Sequence, residues 1–101
     1  MPLFAIIGHD VANSSELRKA TRPAHVARLK QLETEGRLVI AGPTPIAHDA
    51  TAMSGSIIIA AFDSLTAAQE WANADPYFAA GVYSHVDIKP FVQALPQVEA
   101  P

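Results

Sequence analysis

The chain has 101 residues, half of them hydrophobic and only 17% charged, with a formal charge of −3 and no cysteine. That length suits one domain with a thin core, and the apolar fraction argues against disorder. The mild acidity makes nucleic acid and anionic membranes poor partners, and the missing cysteines exclude a disulfide framework, a thiolate nucleophile and a zinc ribbon.

The first expected element is a buried strand over residues 3–7, closed by Gly8 and His9-Asp10. These apolar residues follow no basic segment, so they do not read as a secretory leader. Residues 10–21 are polar, with Asn13-Ser14-Ser15, and are expected to form a loop. Arg22-Pro23 then opens a helix, because proline suits the first helical position. His25, Leu29 and Leu32 share one face of it, and Gly36 ends it. A second strand over residues 37–41 is expected to stop at Gly42-Pro43-Thr44-Pro45.

After a small, polar loop over residues 48–55, residues 56–62 carry the strongest strand signal in the chain. Their apolar run, residues 57–62, is far short of the ~20 residues of a membrane span, so a cytoplasmic address is the simplest expectation. Ser64 is a good N-cap for a helix through Ala74, with Leu65, Ala68 and Ala72 on one stripe. Asp75-Pro76 breaks that helix, a short turn follows, and residues 82–88 alternate like an edge strand closed by Lys89-Pro90. Residues 1–95 thus read as one domain and residues 96–101 as a tail.

The order strand, helix, strand, strand, helix, strand implies an α+β, ferredoxin-like βαββαβ fold, with two helices on one face of an antiparallel sheet. The first and third strands are apolar at almost every position, so their second face also needs cover. A second copy of the chain is the expected cover, giving a homodimer.

This topology gathers the informative residues at one edge of the sheet: Arg22 and His25 at the start of the first helix, Gly42 and Pro43 after the second strand, Asp75 and Tyr77 after the second helix, and Gly81 and Tyr83 at the last strand. His25 shares its face with Leu29 and Leu32, so it points toward the sheet. Placed in the first helical turn, it would stand at the positive end of the helix dipole. An imidazole beside a carboxylate is the equipment of a general base, and Asp75 is the candidate partner. Asp before Pro is equally the signature of an N-cap. Arg22 suits an anionic substrate group, whereas Arg18 and Lys19 read as solvated surface charge. Tyr77, Tyr83, Gly42, Pro43 and Gly81 are the expected pocket walls. His9, His25, His48 and His85 show no familiar metal-ligand spacing, so no metal site and no cofactor are expected.

Arg22-Pro-Ala-His25, Glu35-Gly-Arg-Leu, Ala41-Gly-Pro, Phe62-Asp-Ser-Leu-Thr-Ala-Ala, Ala74-Asp-Pro-Tyr77, Ala80-Gly-Val-Tyr83 and Lys89-Pro-Phe occur in that order. In this set the chain resembles the YciI family from Phe4 to about Phe91. The resemblance implies a ferredoxin-like fold, a dimeric α/β barrel and a catalytic centre of one histidine and one aspartate, which map onto His25 and Asp75. The expected function is cofactor-independent acid–base chemistry, isomerisation or elimination, on a small cyclic or carboxylated substrate. The alternative is a non-catalytic module that binds a small ligand in the same pocket.

Overall fold

A computed structural model describes residues 1–98. The strands are β1 (Leu3–Asp10), β2 (Leu38–Pro45), β3 (Met53–Ala61) and β4 (Tyr83–Phe91); the helices are α1 (Ser15–Thr34), α2 (Leu65–Asn73) and the single turn α3 (Pro76–Ala79). The sheet order is β2-β3-β1-β4, with every neighbouring pair antiparallel. This is the expected βαββαβ arrangement.

One face of the sheet carries the core. Phe4 and Ile6 of β1 and Ile58 and Ala60 of β3 pack with Leu32 of α1, Phe62, and Ala68 and Ala72 of α2. Burying one such large side chain contributes about 1.5–3 kcal/mol. Ser64 caps α2 as expected, its hydroxyl accepting the Ala67 N–H at 3.1 Å. The opposite face presents Leu3, Ala5 and Ile7 of β1, Ile57 and Ile59 of β3, and Ile40 of β2, none of them fully buried.

Several boundaries differ from the sequence reading: β1 runs on through Gly8 and His9 to Asp10, and β3 starts at Met53, inside the expected loop, because the two strands stay paired as far as His9 and Gly55. Three further differences have a local cause. Residues 15–21 are not loop but the first two turns of α1, so Pro23 lies inside the helix. The proline removes one helical hydrogen bond, from residue 23 to the Lys19 carbonyl. Pro23 and Lys19 are both exposed, which leaves that carbonyl within reach of water. The turns before the proline are held by the buried Arg18, which is fixed by Asp10, Gly55 and Ser56. Second, β2 runs through Gly42 and Pro43 to Pro45, with Pro43 opposite Ser56. Third, β4 runs through Pro90, opposite Phe4. Both prolines are tolerated because β2 and β4 are the sheet's edges, where an outward-facing N–H needs no ladder partner.

Two glycines permit close approaches near the end of β1. A Cβ on Gly55 would meet the carbonyl oxygen of Gly8 at 2.0 Å, and one on Gly8 would meet the Tyr83 ring at 2.5 Å. No helix among the described residues is long and apolar enough to cross a membrane.

Candidate active site

A cavity of about 570 Å³ lies between the N-terminal part of α1, the middle of β2, the start of β3 and α3. That volume falls within the usual range of small-molecule sites, about 300–1,000 Å³. Arg18, Arg22, His25 and Leu29 line it from α1, at steps of four, three and four residues that place them on one helical face. The stripe is polar toward the helix N-terminus and apolar toward its C-terminus, where Leu32 joins the core. Ala41, Gly42 and Pro43 of β2, Met53 and Ser56 of β3, and Tyr77 of α3 complete much of the wall.

His25 is buried, and its Nδ1 lies 2.9 and 3.0 Å from the two carboxylate oxygens of Asp75. A carboxylate only accepts, so Nδ1–H donates to it, and in the neutral ring Nε2 is then the nitrogen with the free lone pair. The same Asp75 caps α3, Oδ1 accepting the Tyr77 N–H at 2.9 Å, with Pro76 at the first helical position. The two sequence readings of Asp75, cap and imidazole partner, therefore hold together. Tyr77 stacks flat on the His25 ring, with centroids 3.9 Å apart and planes 9° from parallel. The ring is fixed by a carboxylate at its edge and an aromatic face against its plane.

His25 is not in the first turn of its helix: α1 begins at Ser15, ten residues earlier. The dipole argument therefore does not apply, and Asp75 and Tyr77 set the environment of the ring.

Arg18 is the residue that sequence reasoning missed. It is 8% exposed, not a solvated surface charge. Its Nε donates to Asp10 Oδ2 at 2.6 Å, and its Nη2 donates to Asp10 Oδ1, the Gly55 carbonyl and Ser56 Oγ at 2.7–2.9 Å. The Ser14 hydroxyl also donates to Asp10. Burial works against the guanidinium charge, but the hydrogen bonds and charge of Asp10 outweigh it and raise the Arg18 pKa. Its guanidinium carbon also stands 4.9 Å from the centre of the Tyr77 ring. The available signal was the spacing of 18, 22 and 25, which becomes a stripe only once residues 15–21 are helical.

Arg22, Gly42, Pro43 and Tyr77 line the cavity as expected, and Lys19 joins them. Asp75 stands behind His25, outside the lining. Gly81 and Tyr83 also lie outside it. Gly81 has φ +80° and ends the turn after α3, while the Tyr83 ring packs edge-on against Tyr77 at 5.7 Å. Among the described residues the Tyr83 hydroxyl is buried with no partner at hydrogen-bond geometry. Burial pushes its pKa up to about 12, although nearby Ser56 favours the phenolate slightly. Burial also raises the Tyr77 pKa, against the opposing charges of Arg18 and Arg22. Among the described residues, the group with metal-ligand proximity, His9, His85 and Asp87, lies away from the cavity.

The fold and cavity define a ferredoxin-like α+β protein with an open cavity lined by a histidine that is paired to an aspartate. Residues 2–92 match the YCII-related domain, and the chain belongs to that family. Protein YciI of Escherichia coli O6:H1 is 54% identical over 93 residues, covering 88% of this chain and 95% of its own. An uncharacterized protein of Haemophilus influenzae is 47% identical over 92 residues, covering 87% and 94%. The structure of 5-chloro-2-hydroxyhydroquinone dehydrochlorinase (TftG) from Burkholderia phenoliruptrix AC1100, in complex with 2,5-dihydroxybenzoquinone, is similar at a TM-score of 0.82. It is 25% identical to this chain, over 91% of this chain and 95% of that one.

Proposed function

We propose that the protein is a cofactor-independent enzyme that removes a proton from a small, acidic, oxygenated ring substrate and completes an elimination or an isomerisation. The single observation that carries this reading is the His25–Asp75 pair, in which a carboxylate holds Nδ1 and leaves Nε2 as the lone pair available at the cavity wall. Nε2 takes the proton, and Asp75 stabilises the imidazolium that forms. The electron pair left on the substrate either expels a group from the neighbouring carbon or is reprotonated at another carbon. A positioned base of this kind contributes about 10²–10⁴-fold.

The cavity is cationic, which suits an anionic intermediate. Lys19 and Arg22 line it, and Arg18 Nη1 takes no part in the hydrogen bonds to Asp10, Gly55 and Ser56. Asp10 fixes the Arg18 guanidinium in place, so its free end meets developing negative charge without reorganising. The dehydrochlorinase with which this chain shares its fold carries a dihydroxybenzoquinone, which supports hydroxylated quinones and hydroquinones as the substrate class.

The test is chloride release from 5-chloro-2-hydroxyhydroquinone by the wild type, His25→Ala and Asp75→Asn, with binding of 2,5-dihydroxybenzoquinone measured alongside. Turnover that falls at least ~100-fold in His25→Ala, with binding retained, is the expected result. Equal turnover in wild type and His25→Ala would remove the base. Binding without any turnover would leave a ligand-binding module in the same pocket.

We also propose a homodimer that buries the sheet face turned away from the helices. Leu3, Ala5, Ile7, Ile57, Ile59 and Ile40 form an apolar surface there that no element among the described residues covers, Ile40 being 60% exposed. An open apolar sheet face of this kind marks an association surface.

A further inference from the structure

We propose that His9, His85 and Asp87 form a binding site for a divalent first-row transition cation such as Zn2+, on the face of the sheet opposite the His25 cavity. The site follows from strand geometry. His85 and Asp87 are two apart on β4, so both side chains leave the same face of the sheet. His9 is the direct cross-strand partner of His85 on β1, and Ile7, two residues before it, is the partner of Asp87. Three potential ligands thus project from one patch of a two-stranded ladder, and their ligand atoms lie within 4.8 Å of one another. The sequence shows only four scattered histidines; a strand spacing of two and a partner 76 positions away become a ligand set once the register is known.

The side chains are already gathered. His9 Nε2 lies 2.8 Å from Asp87 Oδ2, and the His9 and His85 rings stack at 4.3 Å, 10° from parallel. Adjacent ligands around a tetrahedral zinc ion stand about 3.3 Å apart, given bonds of about 2.0–2.1 Å, so the widest-spaced atoms close by up to about 1.5 Å and the stacked imidazoles turn toward a common point to admit the ion. His85 Nδ1 lies 2.8 Å from the Ser84 hydroxyl, which in turn donates to the His9 carbonyl at 3.2 Å. That contact occupies His85 Nδ1, leaves Nε2 as the nitrogen for a metal and supplies the orienting partner that metal-bound imidazoles usually have. Two imidazoles and one carboxylate suit zinc and its first-row neighbours, and not Mg2+ or Ca2+, which prefer all-oxygen shells. All three residues retain solvent access, which leaves room for water to complete the coordination. The site stands at the polar β4 margin of the open face and shares no residue with the cavity lining.

The test is calorimetric titration of the full, tag-free chain with ZnCl2, with Co2+ absorption as a second readout of coordination. With three partly exposed ligands instead of the four of a structural zinc site, the wild type is expected to bind one Zn2+ with a Kd of roughly 10 µM or below. His9→Ala, His85→Ala and Asp87→Ala should each weaken binding at least ~10-fold. His48→Ala, in an exposed loop, and His25→Asn, in the cavity, should bind as the wild type does. A weaker wild-type Kd, or a smaller loss in His85→Ala, would overturn the assignment. Since the three triad residues are not in the core, circular dichroism is expected to show each variant folded.

Discussion

Tyr83 shows how one buried atom sets a pH limit on the whole fold. Its hydroxyl is buried and unpartnered, and its pKa is raised from 10 to about 12 because burial penalises the phenolate. The unfolded chain therefore loses this proton near pH 10 while the folded chain keeps it. The stabilising difference is complete below pH 10 and declines as the pH rises toward 12, by about 2–3 kcal/mol in all. Tyr83→Phe removes the ionisable group and the orphaned hydroxyl together. Chemical denaturation at pH 8 and pH 11 is expected to show the wild type losing markedly more stability than the variant over that interval; equal losses would reject the account. At the same scale, Asp75 answers two questions that the sequence could only pose separately, since its carboxylate meets both the Tyr77 N–H and His25 Nδ1. The pairing of His25 with Asp75 was legible because topology and motif both pointed to it. The role of Arg18 was not, because Asp10, Gly55 and Ser56 become its neighbours only when β1 and β3 are paired.

Among the elements, α2 and its Ser64 cap followed from local rules, and α1 and β2 did not. Proline and glycine rules placed the start of α1 at Pro23 and the end of β2 at Ala41. In both places tertiary context prevails: Arg18 anchors the turns before Pro23, and the edge position of β2 accommodates Pro43 and Pro45. The pairing of β1 with β3 carries a stricter demand. Gly55 faces His9 in the register, with its Cα turned against the Gly8 carbonyl, where a methyl group would stand 2.0 Å from that oxygen. Backbone on both sides leaves little freedom to yield. Gly55→Ala is expected to cost more than ~3 kcal/mol and to disturb the Arg18 contact with the residue 55 carbonyl. Urea unfolding checks this, and a loss below ~1 kcal/mol would show that the two strands can separate cheaply.

For the molecule as a whole, the sheet divides two kinds of surface. One face carries the core and the cationic cavity; the other presents Ile40, Ile57 and their apolar neighbours. If a second copy covers that face, a charge at its centre will be buried unpaired. Ile57→Asp is expected to shift sedimentation from a dimer to a monomer at micromolar concentration while circular dichroism keeps its folded signature. A wild type that sediments as a monomer would reject the homodimer. The distance along the chain between His25 and Asp75 has its own consequence. Fifty positions separate them, half the length of the protein. During synthesis the imidazole leaves the ribosome long before the carboxylate that will orient it, so a nascent or truncated chain ending before Asp75 carries the nitrogen without its orienting partner. The pair itself is completed late and all at once, with the closing third of the polypeptide.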